Sequence, residues 1–222
     1  MLKTENIGVK FNGLDVLRGV SFAIDTGKVA LVVGPNGSGK STLFRAIMGI
    51  INYTGRVTID GVKLDSLPPY RRYRLGITLA PEKMRVAEEL TVRENIEISG
   101  KFRDAIKIFP ELEHLENRKA GLLSGGERQM VVFSRAVLSD PTYLLLDEPF
   151  TGISDENAER MISVIEKRRK RSGLAVISHD RIEDIVEVSE VIYFMLSGMV
   201  RKVIEIESPQ QAIKKLEKYM II

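Results

Sequence analysis

The chain has 222 residues, of which 44% are hydrophobic and 28% charged, a composition typical of an ordinary globular protein with a sizeable core. The net charge of +3 is too small to indicate nucleic-acid binding, so we expect no nucleic-acid partner. Because cysteine is absent and there are only two histidines, disulfide frameworks, cysteine-ligated metal sites and histidine-rich metal centres are excluded.

Apolar runs in this sequence are short. Those at residues 29–33 and 191–196 fall far below the ~20 residues that cross a bilayer, so we expect no direct membrane span. The N-terminus has no basic flank followed by an apolar stretch, which argues against a secretory signal. The length predicts a single domain over residues 1–222, with room for a minor lobe.

The first third of the chain combines two kinds of strand pattern. Alternating residues predict an antiparallel hairpin over residues 2–24, with its turn at Asn12-Gly13, and a second hairpin over residues 57–64. Between them, the continuously apolar run at residues 29–33 is typical of a buried parallel strand, and a helix is expected at residues 41–50. An antiparallel β-subdomain therefore precedes a parallel sheet.

The middle of the chain changes in character after a further strand at residues 77–79. From Arg85 to Glu127 no strand pattern occurs, and the helical stretches there are broken by glycine and proline. This pattern predicts a small helical subdomain inserted into an α/β core. Its expected bounds are about residues 83–127, with helices at 92–98 and 102–109, between core segments 1–82 and 128–222.

Strands and helices alternate again in the last part of the chain. Such alternation is typical of a parallel sheet with crossover helices. The expected elements are a helix at residues 127–138, a strand at 143–147, a helix at 155–171, a strand at 174–178, strands at 191–196 and 199–204, and a helix starting at Ser208-Pro209.

A glycine-rich loop follows the apolar run at residues 29–33 and matches the pattern G-x-x-x-x-G-K-[ST] between a strand and a helix. Its backbone N–H groups and the helix N-terminus favour phosphate oxygens. Lys40 is expected to reach the β- and γ-phosphates, and the Ser41 hydroxyl to ligate Mg²⁺. The predicted nucleotide-binding residues of this phosphate loop are Gly34, Pro35, Asn36, Gly37, Ser38, Gly39, Lys40, Ser41 and Thr42.

Polar side chains follow two of the predicted core strands. The strand at residues 143–147 ends in Asp147, which can help to hold Mg²⁺, and is followed by Glu148, which can orient or deprotonate a water in line with the γ-phosphate. His179 follows another strand at the edge where α/β sheets present active sites. The alternatives are acids that begin a solvated loop and an ordinary surface or core histidine.

Residues 123–127 read Leu-Ser-Gly-Gly-Glu and open a predicted helix. Ser124 and Glu127 form an S-x-x-E capping box, which by itself is a sufficient structural explanation. The box does not explain Gly125 and Gly126, since glycine costs ~1 kcal/mol at each helical position. Close backbone approach to an anion would explain both glycines.

These motifs together resemble the nucleotide-binding subunits of ABC-type ATPases, which are marked by a signature of this kind. The resemblance covers essentially the whole chain and implies an α/β fold with a P-loop NTPase core, an N-terminal antiparallel β-subdomain and a small inserted helical subdomain. It also implies that ATP lies between the phosphate loop of one subunit and the signature of another. The signature residues Leu123, Ser124, Gly125, Gly126 and Glu127 would then serve the partner's ATP.

Three further positions carry implications of the resemblance. Phe11 falls where the family places an aromatic residue that stacks on adenine, although a residue of the hairpin core is the alternative. Glu82 stands where most of the family has a glutamine that links the metal and the attacking water to the transmembrane partner. Ser154 stands where aspartate is common in the loop that contacts the opposite subunit.

The segments at residues 76–82 and 90–95 look like the ATPase subunits of branched-chain amino-acid importers. The resemblance therefore implies a Mg²⁺-dependent ATPase on the cytoplasmic face of the membrane. Its implied partners are transmembrane permease subunits and a second ATPase subunit, either identical or paralogous. The alternatives are a soluble non-transport ABC-type ATPase, for example in iron–sulfur assembly or repair, and a nucleotide-binding switch that hardly hydrolyses ATP.

Overall fold

The computed structural model describes residues 1–83 and 86–220, which fold into two β-sheets surrounded by helices. The strands are β1 (Leu2–Phe11), β2 (Leu14–Ile24), β3 (Val29–Val33), β4 (Thr54–Ile59), β5 (Val62–Lys63), β6 (Ile77–Ala80), β7 (Tyr143–Asp147), β8 (Gly173–Ile177), β9 (Val191–Leu196) and β10 (Met199–Glu205). The helices are α1 (Lys40–Ile47), α2 (Pro69–Arg74), α3 (Val92–Glu97), α4 (Phe102–Ile108), α5 (Gly125–Leu138), α6 (Asp155–Arg169), α7 (Ile182–Val188) and α8 (Pro209–Met220). Two 3₁₀ segments cover Pro110–Leu115 and Ala120–Leu122.

The larger sheet has the strand order β10-β9-β3-β8-β7-β6. Its strands β9, β3, β8, β7 and β6 are parallel, and β10 pairs with β9 in the antiparallel direction. Every residue of β3, β7 and β8 is buried, which explains why these strands are continuous apolar runs rather than alternating, up to Asp147 at the end of β7. The predicted parallel sheet is confirmed.

The smaller sheet is antiparallel and has the order β2-β1-β4-β5. Its first hairpin pairs residues from Leu2 with Ile24 to Phe11 with Leu14, as the alternating pattern predicts. The second hairpin is also present, although β4 begins at Thr54 rather than at residue 57. The sheets share one apolar layer, in which the rings of Phe22 and Tyr193 lie 4.7 Å apart.

The chain between β6 and α5 is helical in its described part. It contains α3, α4 and the two 3₁₀ segments, and residues 84 and 85, which fall within the expected bounds of 83–127, lie outside the described residues. Thr91 and Glu94 form a capping box at the start of α3. The rings of Phe109 and Phe133 meet edge to face at 6.0 Å, which joins this helical segment to α5.

Helix α2, which the sequence analysis did not predict, buries the side chain of Arg72 to 1% exposure. The guanidinium caps the C-terminal end of α1, where a cation is favoured by the helix dipole. Because the phosphate loop lies at the other end of α1, Arg72 fixes the helix that carries this loop. Its acceptors are the carbonyl oxygens of Ala46 (3.1 Å), Ile47 (2.7 Å), Leu64 (2.8 Å) and Leu67 (2.9 Å) and the hydroxyl of Tyr53 (3.0 Å).

We expect Arg72→Met to lower the free energy of unfolding by about 3 kcal/mol, because it removes several buried charge-assisted hydrogen bonds, including the one to the carbonyl of Ile47. Urea unfolding followed by circular dichroism measures this change. Arg71→Met is the matched control, since Arg71 is the preceding residue of α2 and is exposed. Equal stability of the two variants would contradict the role of Arg72.

Candidate functional site

A pocket of about 590 Å³ opens beyond the carboxyl ends of β3, β7 and β8. Parallel strands present these ends at one edge of the sheet, so residues distant in sequence meet there. The pocket is lined by Val16, Asn36, Gly37, Gly39, Lys40, Ser41, Thr42, Glu82, Glu148, Thr151, His179 and Asp180.

The phosphate loop connects β3 to α1, and its backbone conformation requires glycine at two positions. A Cβ on Gly34 would lie 2.0 Å from the carbonyl oxygen of Met195. Gly39 has a φ of 101°, and its Cβ would lie 2.6 Å from a methyl carbon of Leu17. The loop therefore brings its backbone and the N-terminus of α1 to the pocket wall, an arrangement that favours anions.

Lys40 is buried and folds back over the phosphate loop. Its Nζ donates to the carbonyl oxygens of Gly34 at 2.8 Å and Pro35 at 3.1 Å, and it lies 3.2 Å from Nε2 of His179. Burial lowers the pKa of Lys40, and nearby carboxylates oppose this shift. These carboxylates belong to Glu148, Asp147 and Glu82.

Ser41 and Asp147 form a pair of oxygen groups beneath the pocket. The Ser41 hydroxyl donates to Oδ1 of Asp147 at 2.9 Å, and the carboxylate of Glu82 lies near the same group. Asp147 is buried, and burial raises its pKa. A hydroxyl and a carboxylate side by side fit Mg²⁺, which prefers oxygen ligands.

No group of three or more acidic, histidine or cysteine side chains in the described residues is arranged to hold a metal by itself. This small donor set also fits Mg²⁺, because that ion usually takes one or two carboxylates from the protein and completes its shell with phosphate oxygens and water.

Glu148 adopts a left-handed backbone conformation with a φ of 52°, which is uncommon for a residue other than glycine. Its Oε2 accepts the backbone N–H of His179 at 3.1 Å, and its Oε1 pairs with Nδ1 of the same residue. Strained backbone of this kind costs about 1–3 kcal/mol and clusters at functional sites. The turn aims the Glu148 carboxylate into the pocket beside His179.

The signature residues form the predicted capping box at the start of α5. Ser124 Oγ accepts the N–H of Glu127 at 3.2 Å, and Glu127 Oε2 accepts the N–H of Ser124 at 2.7 Å. A Cβ on Gly126 would lie 2.8 Å from the carbonyl oxygen of Gly152, so packing within the chain explains this glycine and an anion is not required for it. Gly125 faces open space.

The structure places some of the sequence-predicted residues away from the pocket wall. None of the residues 123–127 lines the pocket. Phe11 ends β1 with 45% exposure and is likewise not among the lining residues. The chain's own signature therefore forms no part of the wall of its own pocket.

Three lining residues were missed by the sequence analysis. Thr151 and Asp180 follow the carboxyl ends of β7 and β8, so their position just after Glu148 and His179 was the signal that could have found them. Val16 reaches the pocket from β2, where its sequence context shows no such signal.

Within the described chain, every helix is too short or too polar to cross a bilayer.

Comparisons with known proteins give consistent matches. Residues 17–151 match the protein family described as ABC transporter. Over 212 residues the chain is 36% identical to the probable branched-chain amino acid transport ATP-binding protein LivF of Archaeoglobus fulgidus, with 90% of each protein covered. Over 211 residues it is 31% identical to the lipopolysaccharide export system ATP-binding protein LptB of Escherichia coli K12, with 89% of this chain and 87% of LptB covered.

Solved structures agree with these sequence matches. The fold superposes on a nucleotide-free ATP-binding cassette from an ABC transporter with a TM-score of 0.81. The two proteins are 30% identical, and the match covers 98% of this chain and 95% of the other.

Proposed function

Because this chain belongs to the ABC transporter family, as an ATP-binding cassette of the kind that hydrolyses ATP to power transport, we propose that its transporter imports branched-chain amino acids. The 36% identity to LivF, which extends over 90% of both proteins, carries this proposal. The 31% identity to LptB favours a second candidate, the export of a lipid-linked molecule.

We propose that the phosphate loop holds ATP in the pocket at the edge of the large sheet. The backbone N–H groups at the start of α1 bind phosphate oxygens, and Lys40 exchanges its bonds to the carbonyls of Gly34 and Pro35 for the β- and γ-phosphates. Ser41, Asp147 and Glu82 would hold Mg²⁺, which neutralises phosphate charge when it is bound. Phe11 is assigned to the adenine base.

Glu148 is proposed as the residue that orients and deprotonates the attacking water. Its backbone turn and its contacts with His179 keep the carboxylate at the pocket wall, where a water in line with the γ-phosphate would lie. His179 also lies beside Lys40 Nζ, so it is placed to contact the same phosphate.

A second ATPase subunit is part of this proposal. The signature residues do not line the chain's own pocket, and Gly125 is open to an approaching molecule. Residues 123–127 therefore serve the nucleotide of a partner subunit, either a second copy or a paralogue.

We assign this pair of subunits to the cytoplasmic face of the membrane, docked on permease subunits. The family membership and the relatives' transport roles support this placement. A soluble ABC-type ATPase without a transporter is the alternative, and it would bind soluble proteins only.

Glu82→Gln should change the metal dependence of ATP binding. Glu82 adds a carboxylate to a pocket that already contains Glu148 and adjoins the buried Asp147. Removing its charge at nearly constant shape should strengthen ATP binding without Mg²⁺ about fivefold or more, because like charges a few ångströms apart repel by about 1 kcal/mol even in water. The Mg²⁺ concentration needed for full binding should rise.

Isothermal titration with ATP, in EDTA and in graded Mg²⁺, measures both effects. Glu217→Gln, which removes an exposed carboxylate on α8, is the control and should behave as the wild type. An unchanged affinity for metal-free ATP in Glu82→Gln would exclude this role of Glu82.

Uptake of labelled amino acids tests the proposed substrate. Cells whose own gene carries Glu148→Gln should lose energised uptake of leucine, isoleucine and valine and keep the uptake of unrelated solutes. Normal uptake of all three, combined with a defect in the envelope lipids, would instead favour the LptB-like function.

A further inference from the structure

Two loops leave neighbouring strands at the pocket edge, and a pair of side chains joins them. The base loop, residues 148–154, connects β7 to α6, and the histidine loop, residues 178–181, connects β8 to α7. Both loops line the pocket, the first through Glu148 and Thr151. The second contributes His179 and Asp180.

The two loops are linked at both of their ends. Close to the strands, the carboxylate of Glu148 contacts the backbone and the ring of His179. At the far ends, the guanidinium of Arg181 pairs with Oδ1 of Asp155, the first residue of α6. Arg181 also donates to Oδ2 of Asp184 at 3.1 Å, a contact that stays within its own segment.

Arg181 has an uncommon backbone conformation for its residue type. Its φ of 57° and ψ of 34° lie in the left-handed region, which costs a residue with a Cβ about 1–2 kcal/mol. It occupies the N-cap position of α7, but its side chain does not cap that helix. The guanidinium lies instead between the carboxylates of Asp155 and Asp184.

From these contacts we propose that Arg181 is a positioning residue for ATP hydrolysis, because its ion pair with Asp155 holds the histidine loop against the base loop and keeps His179 on Glu148. This inference rests on the proposed ATPase function. It assigns Arg181 no contact with the nucleotide, since Arg181 is not among the residues that line the pocket.

Because the ion pair between Arg181 and Asp155 lies at the surface, its loss should affect ATP turnover without affecting the stability of the fold. The side chain of Asp155 is 90% exposed, so the pair contributes little to the stability of the fold. Neither Arg181 nor Asp155 lines the pocket in which the phosphate loop and Lys40 hold ATP. Loss of the pair should therefore lower kcat while the Kd for ATP and the melting temperature change little.

The experiment compares Arg181→Gln, Asp155→Asn and the double variant with the wild type in steady-state phosphate release, ATP titration and thermal unfolding. Each single variant should lower kcat about three- to fivefold, the change that corresponds to losing one exposed ion pair. The double variant should lose no more than the single variants, because all three lack the same contact. Higher ionic strength should lower wild-type kcat toward that of the variants.

Two further variants distinguish the linking pair from general effects of charge. Asp184→Asn removes the other carboxylate on Arg181 but keeps the link between the loops, and it should retain wild-type kcat. The exchange of Arg181→Asp with Asp155→Arg restores an ion pair in which the two charges have changed places. Aspartate suits position 181, because it tolerates the left-handed backbone found there. This exchange should recover most of the lost kcat.

Wild-type kcat in both single variants, or losses that multiply in the double variant, would overturn the inference about Arg181 alone. If the wild-type protein does not hydrolyse ATP, the proposed function fails and the inference fails with it. The wild-type measurement therefore separates the two results.

Discussion

Replacing Glu148 with glutamine should lower ATP turnover by about 10²–10⁴-fold and leave ATP binding intact, because glutamine keeps the shape of the side chain but cannot accept the proton of the attacking water. Glu148 is held at the pocket wall by its left-handed backbone and by two contacts with His179. Without turnover, the variant should accumulate as an ATP-bound dimer.

Phosphate release measures the turnover of Glu148→Gln, and size-exclusion chromatography with light scattering measures its dimer. Glu166→Gln, an exposed substitution on α6, is the control and should remain active and mostly monomeric with ATP. Wild-type turnover in Glu148→Gln would show that another group activates the water.

Lys40→Ala should weaken ATP binding by about 100-fold or more. The ammonium of Lys40 is already desolvated and bonded to the loop carbonyls of Gly34 and Pro35, so it is prepared to exchange these bonds for phosphate oxygens. Losing two charge-assisted hydrogen bonds corresponds to about 3 kcal/mol or more, which is roughly this factor.

Equilibrium titration with ATP measures the affinity of Lys40→Ala, and circular dichroism shows whether the variant is folded. Lys63→Ala removes an exposed lysine of β5, away from the pocket, and should bind ATP as the wild type does. An affinity for ATP within a few-fold of the wild type in Lys40→Ala would contradict the assignment of the pocket.

The parallel sheet and the residues at its edge could be predicted from the sequence because local patterns carry them. Continuous apolar runs mark β3, β7 and β8 as strands buried on both faces. Glu148 and His179 come just after β7 and β8, and Lys40 follows β3 across the phosphate loop, so the rule that parallel strands end at one edge brings the three together.

Features that depend on long-range packing could not be read from local patterns. The segment that forms α2 has no apolar periodicity, and its buried Arg72 becomes understandable only when the end of α1 lies beside it. The requirement for Gly126 comes from the carbonyl of Gly152, which is distant in sequence. Helix α7 is short, and the residue before it, Arg181, has a left-handed backbone and does not cap the helix with its side chain. The sequence therefore has no N-cap pattern that marks where α7 begins.

Identification of the proteins bound to the closed state tests the central claim most directly. Tagged Glu148→Gln would be expressed from its native locus, solubilised from membranes with ATP and Mg²⁺, purified, and its companions identified by mass spectrometry, since a trapped closed state should retain its partners. We expect a second ATPase subunit together with permease subunits that span the membrane. Recovery of soluble proteins alone would contradict the transporter assignment.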